Sequence, residues 1–312
     1  MKIVAVVVTY NRINLLRECL GAILGQSEKV DKIILIDNAS TDGTQEVLLE
    51  EGYLDLETVN YMRMKENIGG AGGFYEGIKL AKGLGADWIW IMDDDTIPQR
   101  ECLEKLLKAK QIIGRKEKIS FLASCIKGIN GEPMNVPAVA DTCAENGYQN
   151  YHEYLSDGMV RIRKATFVSI LVSGRAVKQC GLPCKDFFIW GDDSEYTSRL
   201  TTFYGDAYLV GNSIAVHKRK LARELNIKEE TDKERIKMYC YYYRNRAILN
   251  IIYKNIRFPR LRVGYAWLKS LCCFRTKLDR LRGRVIRRGC MEAIVQYPKF
   301  QRFIANQLSG NE

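Results

Sequence analysis

Trp88-Ile89-Trp90-Ile91-Met92, followed at once by Asp93-Asp94-Asp95, is the stretch on which the reading of this chain turns. An unbroken apolar run of this length suits a strand buried on both faces, as in a parallel sheet covered by helices. The run stops on three acids. Like charges packed side by side repel unless a cation meets them. In an extended chain Asp93 and Asp95 point to one side, and paired carboxylates make a hard oxygen site suited to Mg²⁺ or Mn²⁺. Ligands of open α/β sheets gather at the carboxyl ends of strands, which is where the triplet stands. The plainer alternative is a solvated acidic turn.

Working outward, Lys2 to Thr9 is a Val-rich apolar run. Ile13, Leu16, Leu20, Ile23 and Leu24 then recur at helical spacing. Lys32 to Ile36 reads as a second buried strand ending at Asp37, and Thr41-Asp42-Gly43 turns into a helix carrying Val47 and Leu48. A third strand is expected over Val59 to Met64, and a Gly-rich loop over Asn67-Ile68-Gly69-Gly70-Ala71-Gly72-Gly73 leads into a helix through Ile78 and Leu80. Strands alternating with helices predict a parallel, doubly wound sheet. Beyond Pro98 the pattern loosens. It predicts a helix at 99–110, a strand near Phe121, and an irregular lid or acceptor loop from Gly128 to Gly158. One long strand follows over Arg161 to Ser173, then a short helix from Gly174 to Cys180 and a strand over Ala207 to His217. From about Asp232 the chain reads as helical.

The 312 residues are 46% hydrophobic, which excludes a disordered chain. The apolar run Ile3 to Val8 is too short for a secretory core segment, and no stretch approaches the roughly 20 apolar residues of a membrane span. Ten cysteines without regular spacing and only two histidines argue against a zinc cluster and for reduced cysteines in the cytoplasm. The net charge of +11 is unevenly placed. Residues 254–302 hold 14 Lys/Arg and only Asp279 and Glu292 as acids, so the remaining chain is close to neutral. The basic stretch also carries Ile256, Phe258, Leu261, Tyr265, Trp267, Leu268, Leu271, Phe274, Leu278 and Leu281. Of these Leu261, Tyr265, Leu268, Leu271 and Phe274 are three or four apart and can share a helix face. Basic residues beside such a face describe a helix lying on an anionic membrane surface. Packing on the catalytic domain, or on a second copy of the chain, is the alternative.

Other residues carry chemistry. The Gly-rich loop matches neither the dinucleotide fingerprint nor a P-loop, because Gly73, Phe74 and Tyr75 follow Gly70-Ala71-Gly72 and no Gly-Lys pair closes it. Asp37 can bind a nucleoside hydroxyl or cap its own turn. In Trp190-Gly191-Asp192-Asp193-Ser194-Glu195 a carboxylate can take a proton from an attacking hydroxyl, or the acids can merely cap a helix. His217, beside Lys218-Arg219-Lys220, is either a metal ligand or structural.

Taken together these residues resemble family 2 glycosyltransferases of the GT-A fold. The resemblance rests on Val-Val-Thr9-Tyr10-Asn11-Arg12, on Asp37-Asn38-Ala39-Ser40-Thr41-Asp42-Gly43-Thr44, on Glu66-Asn67-Ile68-Gly69-Gly70-Ala71-Gly72-Gly73, and on Asp93-Asp94-Asp95, in family order. The Gly-rich version is similar to the branch of galactofuranosyltransferases and rhamnosyltransferases. It covers about residues 1–220, and the Gly191 between Trp190 and the acids departs from the pattern.

The resemblance implies an α/β, GT-A type fold, with a Rossmann-like, mostly parallel central sheet flanked by helices and a helical C-terminal extension. It implies a catalytic domain over 1–232, with a nucleotide-sugar half at 1–98 and an acceptor half at 99–232, and a basic membrane-associating region at 233–312. The implied activity is inverting transfer of a sugar from a nucleotide-sugar donor, UDP-galactofuranose before dTDP-rhamnose, to a glycan or lipid-linked glycan acceptor. Mn²⁺ or Mg²⁺ would sit on Asp95, His217 and Asp93, with Asp193 as base. Thr9, Asn11, Arg12, Asp37, Asn67, Gly70, Asp93 and Asp94 would hold the donor, and Trp190, Asp192 and Glu195 the acceptor. The expected place is the cytoplasmic, inner face of the cell membrane, as a peripheral protein and a possible homo-oligomer through the C-terminal helices. A nucleotidyltransferase would show Arg and Lys in a Gly-rich loop after the first strand, and Thr9-Tyr10-Asn11-Arg12 lacks it. A nucleic-acid partner is not expected, since that reading leaves the acidic triplet and glycines unexplained.

Overall fold

Ile3, Ala5 and Val7 point to one face of the first strand, and Val4, Val6 and Val8 to the other. Both sets are buried, each in its own core cluster. Such side chains contribute about 1.5–3 kcal/mol each on burial, so this strand can only lie in the middle of a covered sheet. A computed structural model describes residues 1–114, 118–219, 225–253, 258–271 and 276–310. The chain runs β1 (Ile3–Thr9), α1 (Ile13–Leu24), β2 (Lys32–Asp37), α2 (Thr44–Glu50), β3 (Val59–Arg63), α3 (Gly69–Gly83) and β4 (Trp88–Asp93). It continues through β5 (Thr96–Pro98), α4 (Cys102–Ile113), β6 (Ile119–Lys127), β7 (Ala138–Val139), β8 (Met159–Lys164), β9 (Ile170–Ser173), α5 (Gly174–Cys180), α6 (Asp192–Phe203) and β10 (Asp206–His217). Three helices follow: α7 (Lys233–Ile252), α8 (Pro259–Ser270) and α9 (Lys277–Ser309).

All ten strands join one sheet, ordered β3-β2-β1-β4-β9-β6-β10-β8-β7, with β5 pairing on β10. The first four spatial neighbours are mutually parallel. The second half is mixed: β9 runs antiparallel to both β4 and β6, and β8 antiparallel to β10. The expected single strand over Arg161 to Ser173 is two strands in different places. β8 lies beyond β10, whereas β9 is wedged between β4 and β6. Between them the chain crosses over at Ala165, whose N–H and C=O bond the Thr197 hydroxyl, and turns at Ser169 with φ +53°. Continuous hydrophobicity cannot reveal such a crossing, because both strands are buried.

The expected Gly-rich loop is the first turn of α3. Gly69 alone in that run has a positive φ, +75°. Gly73, and Gly77 a turn further on, are needed for space. A Cβ on Gly73 would lie 2.5 Å from Val8 Cγ1, and one on Gly77 would lie 2.4 Å from Val6 Cγ1. The glycines thus let α3 lie flat on β1.

The C-terminal helices add two further clusters, one around Phe187, Ile248 and Phe300 and the other around Ile236, Tyr239 and Val285. α9 starts on a capping box between Thr276 and Asp279. Among the described residues no helix is long and apolar enough to cross a membrane.

Candidate active site

β4 delivers the triplet at its carboxyl end, and β5 turns straight back to pair with β10. In that ladder Thr96 opposes His217, and the Lys218 N–H donates to the Asp95 carbonyl at 2.8 Å. Two positions over 120 residues apart in sequence therefore meet. Asp93, Asp95 and His217 each present a ligand atom, all within 4.8 Å of one another. His217 Nε2 is 3.0 Å from Asp95 Oδ1. Among the described residues Asp95 Oδ1 is a buried oxygen with no hydrogen-bond partner.

The imidazole is oriented from behind. Its Nδ1 lies 2.8 Å from Asn135 Oδ1, while Asn135 Nδ2 donates to the Thr166 hydroxyl. An amide oxygen only accepts, so Nδ1 carries a proton, and Nε2 faces Asp95, where it can give its lone pair to a cation. A lone pair, an unpartnered carboxylate oxygen and a second carboxylate converging on one point form a fitting set for a divalent cation.

Charge around the triplet is unequal. Burial, then Asp95 and Asp94, push the Asp93 carboxyl well above the usual carboxylate range. Asp94 rises to about 6, through burial only partly offset by Arg12. Burial also pushes Asp95 up, but His217 and Arg12 beside it prevail and hold it below the ordinary value. Arg12 Nη1 reaches Asp94 at 3.2 Å and Asp95 at 2.6 Å.

The second acidic cluster opens α6. Gly191, at φ +112°, caps the helix, and Asp192 and Asp193 occupy its first turn. Burial and the neighbouring Asp193 push Asp192 up to about 8, and burial raises Asp193 as well, against the pull of Ser194 and Lys164. The charge of Asp192 also raises Asp93, so the two clusters share one electrostatic neighbourhood. A carboxylate whose pKa approaches neutrality is a competent proton acceptor.

Residues 4–114 match the family description Glycosyl transferase family 2. This segment is a family 2 glycosyltransferase domain. A galactofuranosyltransferase of Mycolicibacterium smegmatis is 40% identical over 94 residues, 30% of this chain and 30% of that protein. A teichuronic acid biosynthesis glycosyltransferase of Bacillus subtilis is 25% identical over 127 residues, 41% of this chain and 48% of that protein. The chain therefore aligns with less than half the length of these relatives. The fold extends further. GalNAc-T7, solved with UDP, GalNAc and Mn²⁺, superposes with a TM-score of 0.62 over 98% of this chain and 58% of its own, at 15% identity. TarS 1-349 of S. aureus gives 0.53 over 98% and 92%, at 13% identity. The architecture is that of GT-A glycosyltransferases.

The family 2 segment ends before β6, so Asp192, Asp193 and His217 reach its triplet only through the fold. Around the triplet, some expected donor contacts are closed off. Thr9, Asp37 and Asp94 are 1%, 0% and 3% exposed. The Thr9 hydroxyl donates to Asp94 at 2.8 Å, and Asp37 accepts from Tyr61 OH and the Ser40 N–H. As the structure stands these three brace the cleft wall, and Asp37 makes the capped turn that its alternative reading described. Asn11, Arg12 and Asn67 are exposed and Gly70 half-buried. Asn11 Oδ1 accepts from Thr41 N–H, and Asn67 Oδ1 from Gly69 N–H.

Glu195 requires a correction. It and Arg199 are fully buried, with Arg199 donating to both of its oxygens at 2.9 Å and Tyr253 OH to one at 2.7 Å. It cannot touch an acceptor. Trp190 is half-buried, its ring packed on Tyr239 and Tyr242 of α7. Sequence reasoning missed Asn135, in the irregular stretch, and Lys164, at the end of β8. Neither carries a motif, and only tertiary proximity marks them.

Proposed function

We propose that this chain transfers galactofuranose from UDP-galactofuranose, with inversion, to a hydroxyl of a growing lipid-linked bacterial cell-surface glycan. dTDP-rhamnose is the competing donor. The observation that carries the reading is the convergence of Asp93, Asp95 and His217 around the buried Asp95 Oδ1, within the electrostatic reach of Asp192. The named relatives support the choice of donor sugar. Asn11, Arg12, Asn67 and Gly70 line the donor side, and Asp192 and Trp190 the acceptor side. Asp193 accepts the hydroxyl proton as the acceptor oxygen bonds the anomeric carbon and the bond to the diphosphate breaks. Asp93, Asp95 and His217 would hold Mn²⁺ or Mg²⁺, which when bound offsets charge on the departing diphosphate. The test is a panel of sugar nucleotides with Mn²⁺, scored by release of nucleoside diphosphate. Turnover with UDP-galactofuranose that EDTA abolishes is expected. Turnover with dTDP-rhamnose alone reverses the donor, and full activity in EDTA sinks the metal.

The acceptor's lipid places the enzyme at the inner, cytoplasmic membrane surface in this reading. The support is α8, where Leu261, Tyr265 and Leu268 are 71%, 65% and 58% exposed and Leu271 is 36% exposed, while Val263 packs inward. Arg260, Arg262 and Lys269 belong to the same helix. Trp267, Leu278 and Leu281 pack against the protein instead. Ile256 and Phe274 lie outside the described residues. Each basic residue near an anionic surface adds about 1 kcal/mol. Co-sedimentation with anionic vesicles, weakened by salt and by Leu261→Glu with Leu268→Glu, is expected. Equal binding to neutral vesicles overturns the electrostatic anchor, and concentration-dependent dimers abolished by the same pair assign the face to a second copy.

A further inference from the structure

The segment that leads into α6 is strained. Phe188 has φ +64° and ψ −60°, and the Ile189 N–H donates to the Phe187 carbonyl at 2.7 Å. This is a γ-turn of the rare, strained hand. Trp190 follows at φ +60° and Gly191 at φ +112°. Bulky residues hold such conformations only where their surroundings impose them.

The surroundings are one turn of α7. Asn245 is fully buried, and its Nδ2 lies 3.0, 3.0 and 2.8 Å from the carbonyls of Phe187, Ile189 and Trp190. Arg244 fixes that amide by donating to Asn245 Oδ1 at 2.8 Å, and it also donates to the carbonyls of Asp186 and Phe187. The Phe188 ring stacks on Tyr241. On the other side the Phe188 carbonyl accepts the Ala71 N–H at 3.1 Å, and a Cβ on Gly69 would sit 2.1 Å from that oxygen. The strained turn is thus pressed between the start of α3, beside the donor side of the cleft, and α7.

We infer that Asn245, set by Arg244, is a positioning residue that holds residues 187–191 in the strained turn which aims Asp192 and Asp193 at the triplet. The inference rests on Asp193 being the base. It makes α7 part of the catalytic apparatus and gives the helical region a function that no membrane contact supplies.

The test is Asn245→Asp in the full chain, which keeps the shape and removes both donors. Turnover should fall about 100-fold, as for a misaimed catalytic group, while the affinity for UDP with Mn²⁺ changes less than about twofold. Amide exchange should quicken about tenfold or more across 186–191 and stay unchanged in β1 and β4. Turnover within about threefold of the parent, or exchange raised equally in the central strands, overturns the inference. Should that variant fail to fold, Arg244→Lys replaces it, since it keeps the charge and loses the fork. The same exchange pattern is then expected, and its absence overturns the inference. Asp193→Asn, made in parallel, separates the two readings. An active Asp193→Asn beside an inactive Asn245→Asp retires Asp193 as base and keeps the clamp.

Discussion

The chain carries two acidic clusters at the ends of apolar runs, and they differ in what meets their charge. Asp93-Asp94-Asp95 faces cationic or cation-seeking partners, Arg12 and His217, and Asp95 is held ionised below its ordinary range. Burial pushes both Asp192 and Asp193 up, and the charge of Asp193 raises Asp192 further. Glu195 in the second cluster is neutralised inside the protein by Arg199. In the proposed reading, identical chemistry is thus divided into a ligand set, a proton acceptor and a structural ion pair by environment alone. Carboxylates whose pKa values are driven apart are how one site acquires several roles.

The largest expected effect breaks the first cluster. Asp95→Ala removes the carboxylate that His217 meets at Oδ1 and Arg12 at Oδ2. Transfer should drop by about 10³-fold or more, and nucleotide binding should lose its dependence on Mn²⁺, as read by calorimetry with and without the ion. Next, Asp193→Asn keeps the cap and loses the acceptor. A fall in kcat of about 10²–10⁴-fold with donor affinity unchanged is expected. A variant retaining most of its rate moves the role to Asp192.

A smaller effect sharpens the division within the second cluster. Glu195→Ala strands the buried Arg199 charge and should cost about 3–5 kcal/mol in denaturant unfolding. An unchanged midpoint would refute the structural role. The smallest effect concerns pH. Asp192 binds its proton more tightly when folded, with a pKa of about 8, than unfolded, at about 4. Between those values the native state holds the extra proton, so stability falls as pH rises from about 4 to 8. The metal-free protein should lose stability progressively across that window, and Asp192→Asn should flatten the slope. A slope unchanged by Asp192→Asn assigns the titration elsewhere.

What could be read along the chain follows from which forces are local. Hydrophobic period and the abrupt stop at Asp93 depend on neighbours in sequence, so β1 to β4, their parallel pairing and the acidic terminus were legible from residues 1–98. The single strand expected over 161–173 failed because β8 and β9 are both buried, and continuous burial looks alike wherever it occurs. The loop expected at 67–73 gave way to a helix from Gly69 because glycine signals either freedom or closeness, and here Val8 against Gly73 demanded closeness.

The sequence by itself determined the parallel half of the sheet, the acidic triplet, the acids after Gly191, and a basic region with an apolar face on α8. Only the tertiary structure decided that His217 meets Asp95 through the β5–β10 ladder, that Asn135 sets its ring, and that Asn245 grips the turn before Asp192. Those contacts join residues far apart in sequence. Their strength comes from excluding water around partners that only chain folding brings together, and no local pattern encodes that.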